Sequence, residues 1–146
     1  MKYNIQKSFA FLNSIAADAI EKRLNKNLKT AKLPITSEQF KILVWLWEQD
    51  GRRQQELACL TQRDKGAIAR ILSILERKKL VIRKECIKDR RVKLVSLTEY
   101  GNSLKEAAYQ VILDTIDDAL IGVKPSNLMI GKAVLQQIID NLTDCK

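Results

Sequence analysis

The sequence predicts a mainly α (α+β) fold: six helices and one β-hairpin in a single domain. Three observations carry this expectation. Apolar residues recur at helical spacing through six segments. Residues 80–97 instead hold two β-branched, apolar runs on either side of a charged four-residue tip. No polar linker separates the segments, since the 146 residues include only two prolines and five glycines, and that length suffices for one core.

Taken in order, the first helix is expected from about Tyr3 to Leu28. Phe9, Leu12, Ala16 and Ala19 form its stripe, widened by Phe11, Ile15 and Ile20. Pro34 breaks the chain. Thr36-Ser37-Glu38-Gln39 then reads as a capping box, and Gly51 as the stop of a second helix bearing Phe40, Leu43, Val44 and Trp47. A short third helix lies in GRRQQELACLT. The fourth runs from near Arg63 to near Lys79, with Ile68, Ile71, Leu72 and Leu75 on one side and Lys65, Arg70 and Arg77 off it. The hairpin follows, with strands over 80–85 and 92–97 and its tip at Lys88–Arg91. Thr98 caps a long fifth helix to about Gly122. A sixth, after Pro125, extends to about Leu142.

Charge and composition exclude several functions. No apolar run is long enough to span a bilayer, and the N-terminus lacks the apolar core of a signal peptide, so a cytoplasmic protein is expected. Histidine is absent, which removes the commonest general base and metal ligand. Cys59, Cys86 and Cys145 show no CxxC spacing, and no phosphate-cradling glycine motif is present. Neither an enzyme nor a metal or cofactor site is expected. The net charge is +9; residues 52–98 hold 14 Lys and Arg against 5 Asp and Glu. A surface that binds a polyanion is the natural reading.

Two short helices, the second basic, followed by a charged hairpin make a winged helix-turn-helix. The second helix suits the major groove of DNA. The hairpin reaches toward the adjoining minor groove, whose negative potential favours arginine. Asp89 would repel phosphate if it faced DNA, so it is expected to bond a neighbouring arginine and hold its fork.

These residues resemble the MarR family, the bacterial multiple-antibiotic-resistance type of regulator. The likeness rests on Glu56-Leu57-Ala58, on DKGAIAR at 64–70, on LERKKLV at 75–81, and on KDRR followed by V-x-LT-x-x-G at 95–101. The resemblance implies dimerisation helices at about 1–35 and 99–146 around a DNA-binding region at about 36–98. It implies a homodimer on double-stranded DNA, repressing from an inverted repeat and released by a small, often aromatic, effector. DNA contacts are then expected from Arg63, Lys65, Gly66, Ala67 and Arg70, and from Lys88, Asp89, Arg90 and Arg91, with Arg91 in the minor groove. Three positions depart from the family pattern. Lys79 replaces the glycine that supplies a left-handed helix end, Arg53 replaces a hydroxyl cap, and Gly66-Ala67 stand where Ser and Thr are common.

Trp45 lies about 200° from Trp47 around the helix, and either packs in the core or lines a ligand pocket. Cys59 and Cys86 read as small, half-buried apolar residues. Residues 1–58 contain no cysteine, so the peroxide-sensing cysteine of one family branch is absent. An architectural protein that coats DNA with little sequence preference is the alternative function, since the same basic surface would serve both.

Overall fold

The computed structural model describes residues 4–144; Tyr3 and Cys145 lie outside the described residues. A 3-10 turn at Ile5–Lys7 precedes α1 (Phe9–Thr30). The single helix expected from residue 3 is interrupted because Ser8 is extended and its hydroxyl accepts the Phe11 N–H, a local side-chain bond that competes with helix continuation. α2 (Ser37–Glu48) starts at the expected capping box: Thr36 accepts the Gln39 N–H and Gln39 accepts the Thr36 N–H, both at 3.2 Å. It stops before Gly51, because the next residues are drawn into a sheet. The Asp50 carboxylate accepts the Leu97 N–H at 2.8 Å, and Arg52–Arg53 form a short strand, β1, where the sequence suggested helix.

α3 (Gln54–Leu60) and α4 (Lys65–Arg77) are the two short helices. α4 starts two residues beyond Arg63, where the Asp64 carboxylate accepts the Ala67 N–H at 2.7 Å. Its C-terminus corrects the expectation drawn from the missing glycine. Lys79 itself adopts the left-handed conformation, φ 62°; Leu80 N–H donates to the Leu75 carbonyl and Lys79 N–H to Glu76, both at 2.9 Å, the paired bonds of a Schellman cap. Lys32 and Gln62 end α1 and α3 in the same way.

β2 (Val81–Glu85) and β3 (Lys93–Leu97) form the hairpin, and β1 pairs with the other edge of β3, giving the antiparallel order β1-β3-β2. The long fifth helix is divided into α5 (Glu99–Ser103) and α6 (Lys105–Ala119). The break has a tertiary cause: the buried Trp47 indole donates to the Gly101 carbonyl at 3.0 Å, taking the acceptor a continuous helix would offer Lys105. Gly101 is required for a second reason, since a Cβ there would lie 2.0 Å from the Leu80 carbonyl oxygen. α7 (Pro125–Leu142) begins with Pro125 inside its first turn, and Lys124 at its N-cap position makes no side-chain capping bond. The described residues thus hold seven α-helices where the sequence suggested six.

The core joins Ile42, Leu43 and Leu46 of α2, Leu57 of α3, Ile68, Leu72 and Leu75 of α4, and Val81 and Val95 of the sheet. α1 contributes only Leu24 and Leu28 near its end, and α6 only Ala108. A polar tie joins these two helices: Asn27 donates to the buried Thr115 hydroxyl at 2.8 Å, which donates to the Val111 carbonyl. The apolar stripe of α1 remains exposed at Phe9, Phe11, Leu12 and Ile15, and α7 buries no residue at all. No helix of the described residues is long and apolar enough to cross a membrane.

Candidate nucleic-acid interface

The sequence concentrates cations between residues 52 and 98, but the fold sorts them. Arg52 is engaged internally. It donates to the Trp45 carbonyl at 2.9 Å, pairs with Glu48 and Glu56, and lies over the Trp45 ring. Arg83 projects from β2 onto α4, donating to Glu76 at 2.8 and 3.0 Å and to Ser73 at 2.9 Å. The same contacts, led by the Arg83 hydrogen bond, hold the Glu76 carboxyl below its usual range against the opposing effect of burial. This clamp sets the hairpin's angle to α4. Sequence reasoning missed it, since an arginine alternating with hydrophobic residues reads as solvated. Arg63, expected at the interface, pairs with Glu38 of α2 at 3.1 Å.

Lys78 is also bonded within the fold, to Gln39 and Pro34, whereas the cations expected at the interface on α4 and the hairpin tip face outward. Lys65, Gly66 and Arg70 are exposed along α4, and Ala67 is half-buried. Lys88, Asp89, Arg90 and Arg91 are exposed on the hairpin tip. A cleft of about 280 Å³ between α3, α4 and the hairpin brings Lys65 and Arg91 together, although 26 positions separate them. Arg53, Gln55 and Lys93 also line it. Those three were missed. Lys93 shares the parity of buried Val95 and is exposed because it starts β3 beside the hairpin tip, so alternation alone gave no signal for it. Arg53 shows no side-chain capping bond at α3, which leaves its guanidinium to the cleft.

Asp89 acts differently from the expectation of a fork-holding carboxylate. Its Oδ1 accepts the Arg91 backbone N–H at 3.0 Å, and its carbonyl accepts the Val92 N–H at 3.0 Å. The contact with the Arg91 guanidinium is a single 3.7 Å approach, and the Arg91 side chain is 95% exposed. The carboxylate therefore shapes the turn, while the arginine fork is free.

A second feature shares no wall with the cleft. Ile20 and Leu24 of α1, Phe40 of α2, and Ile112 and Ile116 of α6 line an apolar pocket of about 330 Å³. Glu21 is at its edge. The Ser37 hydroxyl donates to Glu21 at 2.9 Å and Lys41 approaches at 3.4 Å; the Ser37 bond first, with Lys41, holds this carboxyl below its usual range despite burial. Trp45 is not among the pocket walls; it is half-buried, packed against the core and beneath Arg52. Cys86 is a free, half-buried thiol, and Cys59 is half-buried on α3.

Residues 35–93 match the model of the MarR family. That match takes in 59 of the 146 residues, and over it the chain is similar to the MarR family. Over 80 residues it is 35% identical to the organic hydroperoxide resistance transcriptional regulator of Bacillus subtilis (strain 168), a match covering 55% of this chain and 54% of that one. The chain thus spans about half the length of that curated relative. Among solved structures, S. aureus MepR superposes with a TM-score of 0.81 at 26% identity, covering 92% of this chain and 98% of MepR. Bordetella bronchiseptica BpsR superposes with a TM-score of 0.86 at 20% identity over 96% of this chain and 99% of BpsR, a likeness of fold. In the winged-helix fold shared with these structures, α3 and α4 are the helix-turn-helix and β2–β3 the wing.

Proposed function

We propose that this protein is a sequence-specific, DNA-binding transcriptional regulator that works as a homodimer, represses from an inverted repeat, and is released by a small effector. One observation carries the DNA reading: Lys65 of α4, Arg91 and Lys93 of the wing, and Arg53 line a single cleft. Four cations from three segments are thus grouped where a groove and its flanking phosphates would lie. The MepR structure is of a DNA complex, which supports the same placement here. Lys65 and Arg70 enter the major groove, and Arg91 the minor groove.

Dimerisation is supported by what the single chain leaves uncovered. Phe9, Leu12 and Ile15 of α1 and Met129, Ile130 and Leu142 of α7 are all more than half exposed, and a patch this extended marks an interface. The effector reading rests on the pocket between α1, α2 and α6. The study of BpsR describes regulation of its DNA binding by 6-hydroxynicotinic acid, a precedent for control by a small ring compound. The peroxide in the B. subtilis regulator's name is not carried over, because no cysteine stands in residues 1–58.

The test is selection of binding sites from random DNA, followed by titration in rising salt. A regulator prefers its selected site over random DNA by about 10³ or more. Affinity should fall by about 10³–10⁵ between 50 and 200 mM salt if roughly 6–10 phosphates are neutralised. A salt-independent titration would remove the DNA reading. Steep salt dependence without site preference would favour the architectural alternative.

A further inference from the structure

Three consecutive residues in the first turn of α2 hold three different parts of the molecule. Ser37 donates to Glu21 at the pocket edge at 2.9 Å. Glu38 pairs with Arg63, immediately before the cap of α4, at 3.1 Å. Gln39 accepts from Lys78, the C-cap of α4, at 2.8 Å, and Lys78 also donates to the Pro34 carbonyl at 2.8 Å. One helical turn thus touches the pocket and both ends of the recognition helix.

The pocket's chemistry is one-sided. Its walls are aliphatic and aromatic, and its hydroxyl Thr115 is already bonded to Asn27 and Val111. Two charges remain, Glu21 and Lys41, and they differ in freedom. Glu21 is fixed by the buried Ser37 hydroxyl. The Lys41 side chain is half exposed and reaches Glu21 only at 3.4 Å, so its ammonium can swing into water at little cost. A ligand cation can replace Lys41 at Glu21. A ligand anion would be repelled by the carboxylate that Ser37 holds at the pocket edge.

We infer that this pocket takes a compact hydrophobic ring compound bearing an ammonium group, and that its binding reaches DNA through Ser37, Glu38 and Gln39. The inference rests on the regulator reading above and names the effector's chemical class. The ammonium draws the Glu21 carboxylate away from Ser37. A buried hydroxyl left without its acceptor is costly, so the first turn of α2 shifts to find another. Glu38 and Gln39 move with it and displace the two ends of α4 they hold. The ligand alters DNA affinity only by its differential affinity for the two arrangements.

The probes are three isosteres: 2-naphthylmethylammonium, 2-naphthoate and 2-naphthylmethanol. Binding to the full chain is measured by calorimetry without DNA, and DNA affinity is measured separately on the selected site. The ammonium should bind at least about tenfold more tightly than the carboxylate and weaken DNA binding at least about fivefold. Glu21→Gln should erase the preference for the ammonium while still binding the alcohol, which shows that the pocket is intact. In the double variant Glu38→Gln, Lys78→Met, which leaves the α2 capping box in place, the ammonium should still bind without altering DNA affinity. Equal or tighter binding of naphthoate, no ammonium binding at millimolar concentration, a preference that survives Glu21→Gln, or a DNA response that survives the double variant would each overturn the inference. Failure of the protein to bind DNA without any probe instead overturns the regulator reading, and the calorimetry still reports on the pocket's charge preference.

Discussion

Replacing Asp89 by Asn and by Ala separates two roles that a single substitution confounds. In the structure the Asp89 side chain accepts the Arg91 backbone N–H at 3.0 Å and approaches the Arg91 guanidinium only at 3.7 Å. Asparagine keeps the backbone acceptor and removes the charge; alanine removes both. The exposed ion pair is worth about 0–1 kcal/mol. The turn bond contributes about 1 kcal/mol, and that difference distinguishes the two variants. The charge acts in the opposite direction on DNA binding: in water, a unit pair about 8 Å apart interacts by about 0.5 kcal/mol, so losing the acid favours phosphate. Asp89→Asn should therefore bind DNA as well as the parent or about twofold more tightly at low salt. Asp89→Ala should bind about fivefold more weakly than Asp89→Asn, because its wing tip is ordered only on binding. Fluorescence anisotropy on a labelled selected site at two salt concentrations reads both effects. If the alanine variant binds as tightly as the asparagine variant, the turn bond does not prepare the wing. If both lose equally, the carboxylate's contact with the guanidinium matters and its contact with the backbone does not.

Lys79→Gly should stabilise the protein by about 0.5–1 kcal/mol, since a non-glycine left-handed residue costs ~1–2 kcal/mol and glycine returns part of that as unfolded-chain entropy; urea unfolding at fixed protein concentration checks it, and a lower midpoint refutes the cap argument. Gln62→Gly should gain less, because Gln62 also donates to the Cys59 carbonyl at 2.8 Å. Gly101→Ala should destabilise by about 3 kcal/mol, at the upper end of overpacking costs, because its methyl meets the Leu80 backbone rather than a flexible side chain; thermal melting reads this, and a neutral effect would show that the α5–wing junction yields. Glu76 is held below its unfolded value of about 4.5 by Arg83, so its contribution is complete above that pH and lost as pH falls through the lower folded value. Stability between pH 6 and 3 should then fall less steeply in Glu76→Gln than in the parent.

The sequence by itself determined the helical periodicity, the Thr36–Gln39 capping box, the hairpin between two helices, and the basic character of that region. These are local properties: a 3.6-residue repeat, a four-residue motif and an alternation each need only near neighbours. It also placed Lys65 and Arg70 off the apolar stripe of their helix and Arg91 in a charged turn, and all three are exposed. Tertiary structure decided what depends on contact between distant segments. β1 exists because Arg52 and Arg53 meet β3 more than forty residues later, and that pairing ends α2 before Gly51. The fifth helix divides at Leu104 because Trp47 claims the Gly101 carbonyl. Arg52, Arg63, Lys78 and Arg83 count as surface charge in a composition, yet each is bonded within the fold. Whether a cation faces DNA or a neighbouring helix is settled by where its acceptor lies in space, and the partners of these four come from four to forty-four residues away.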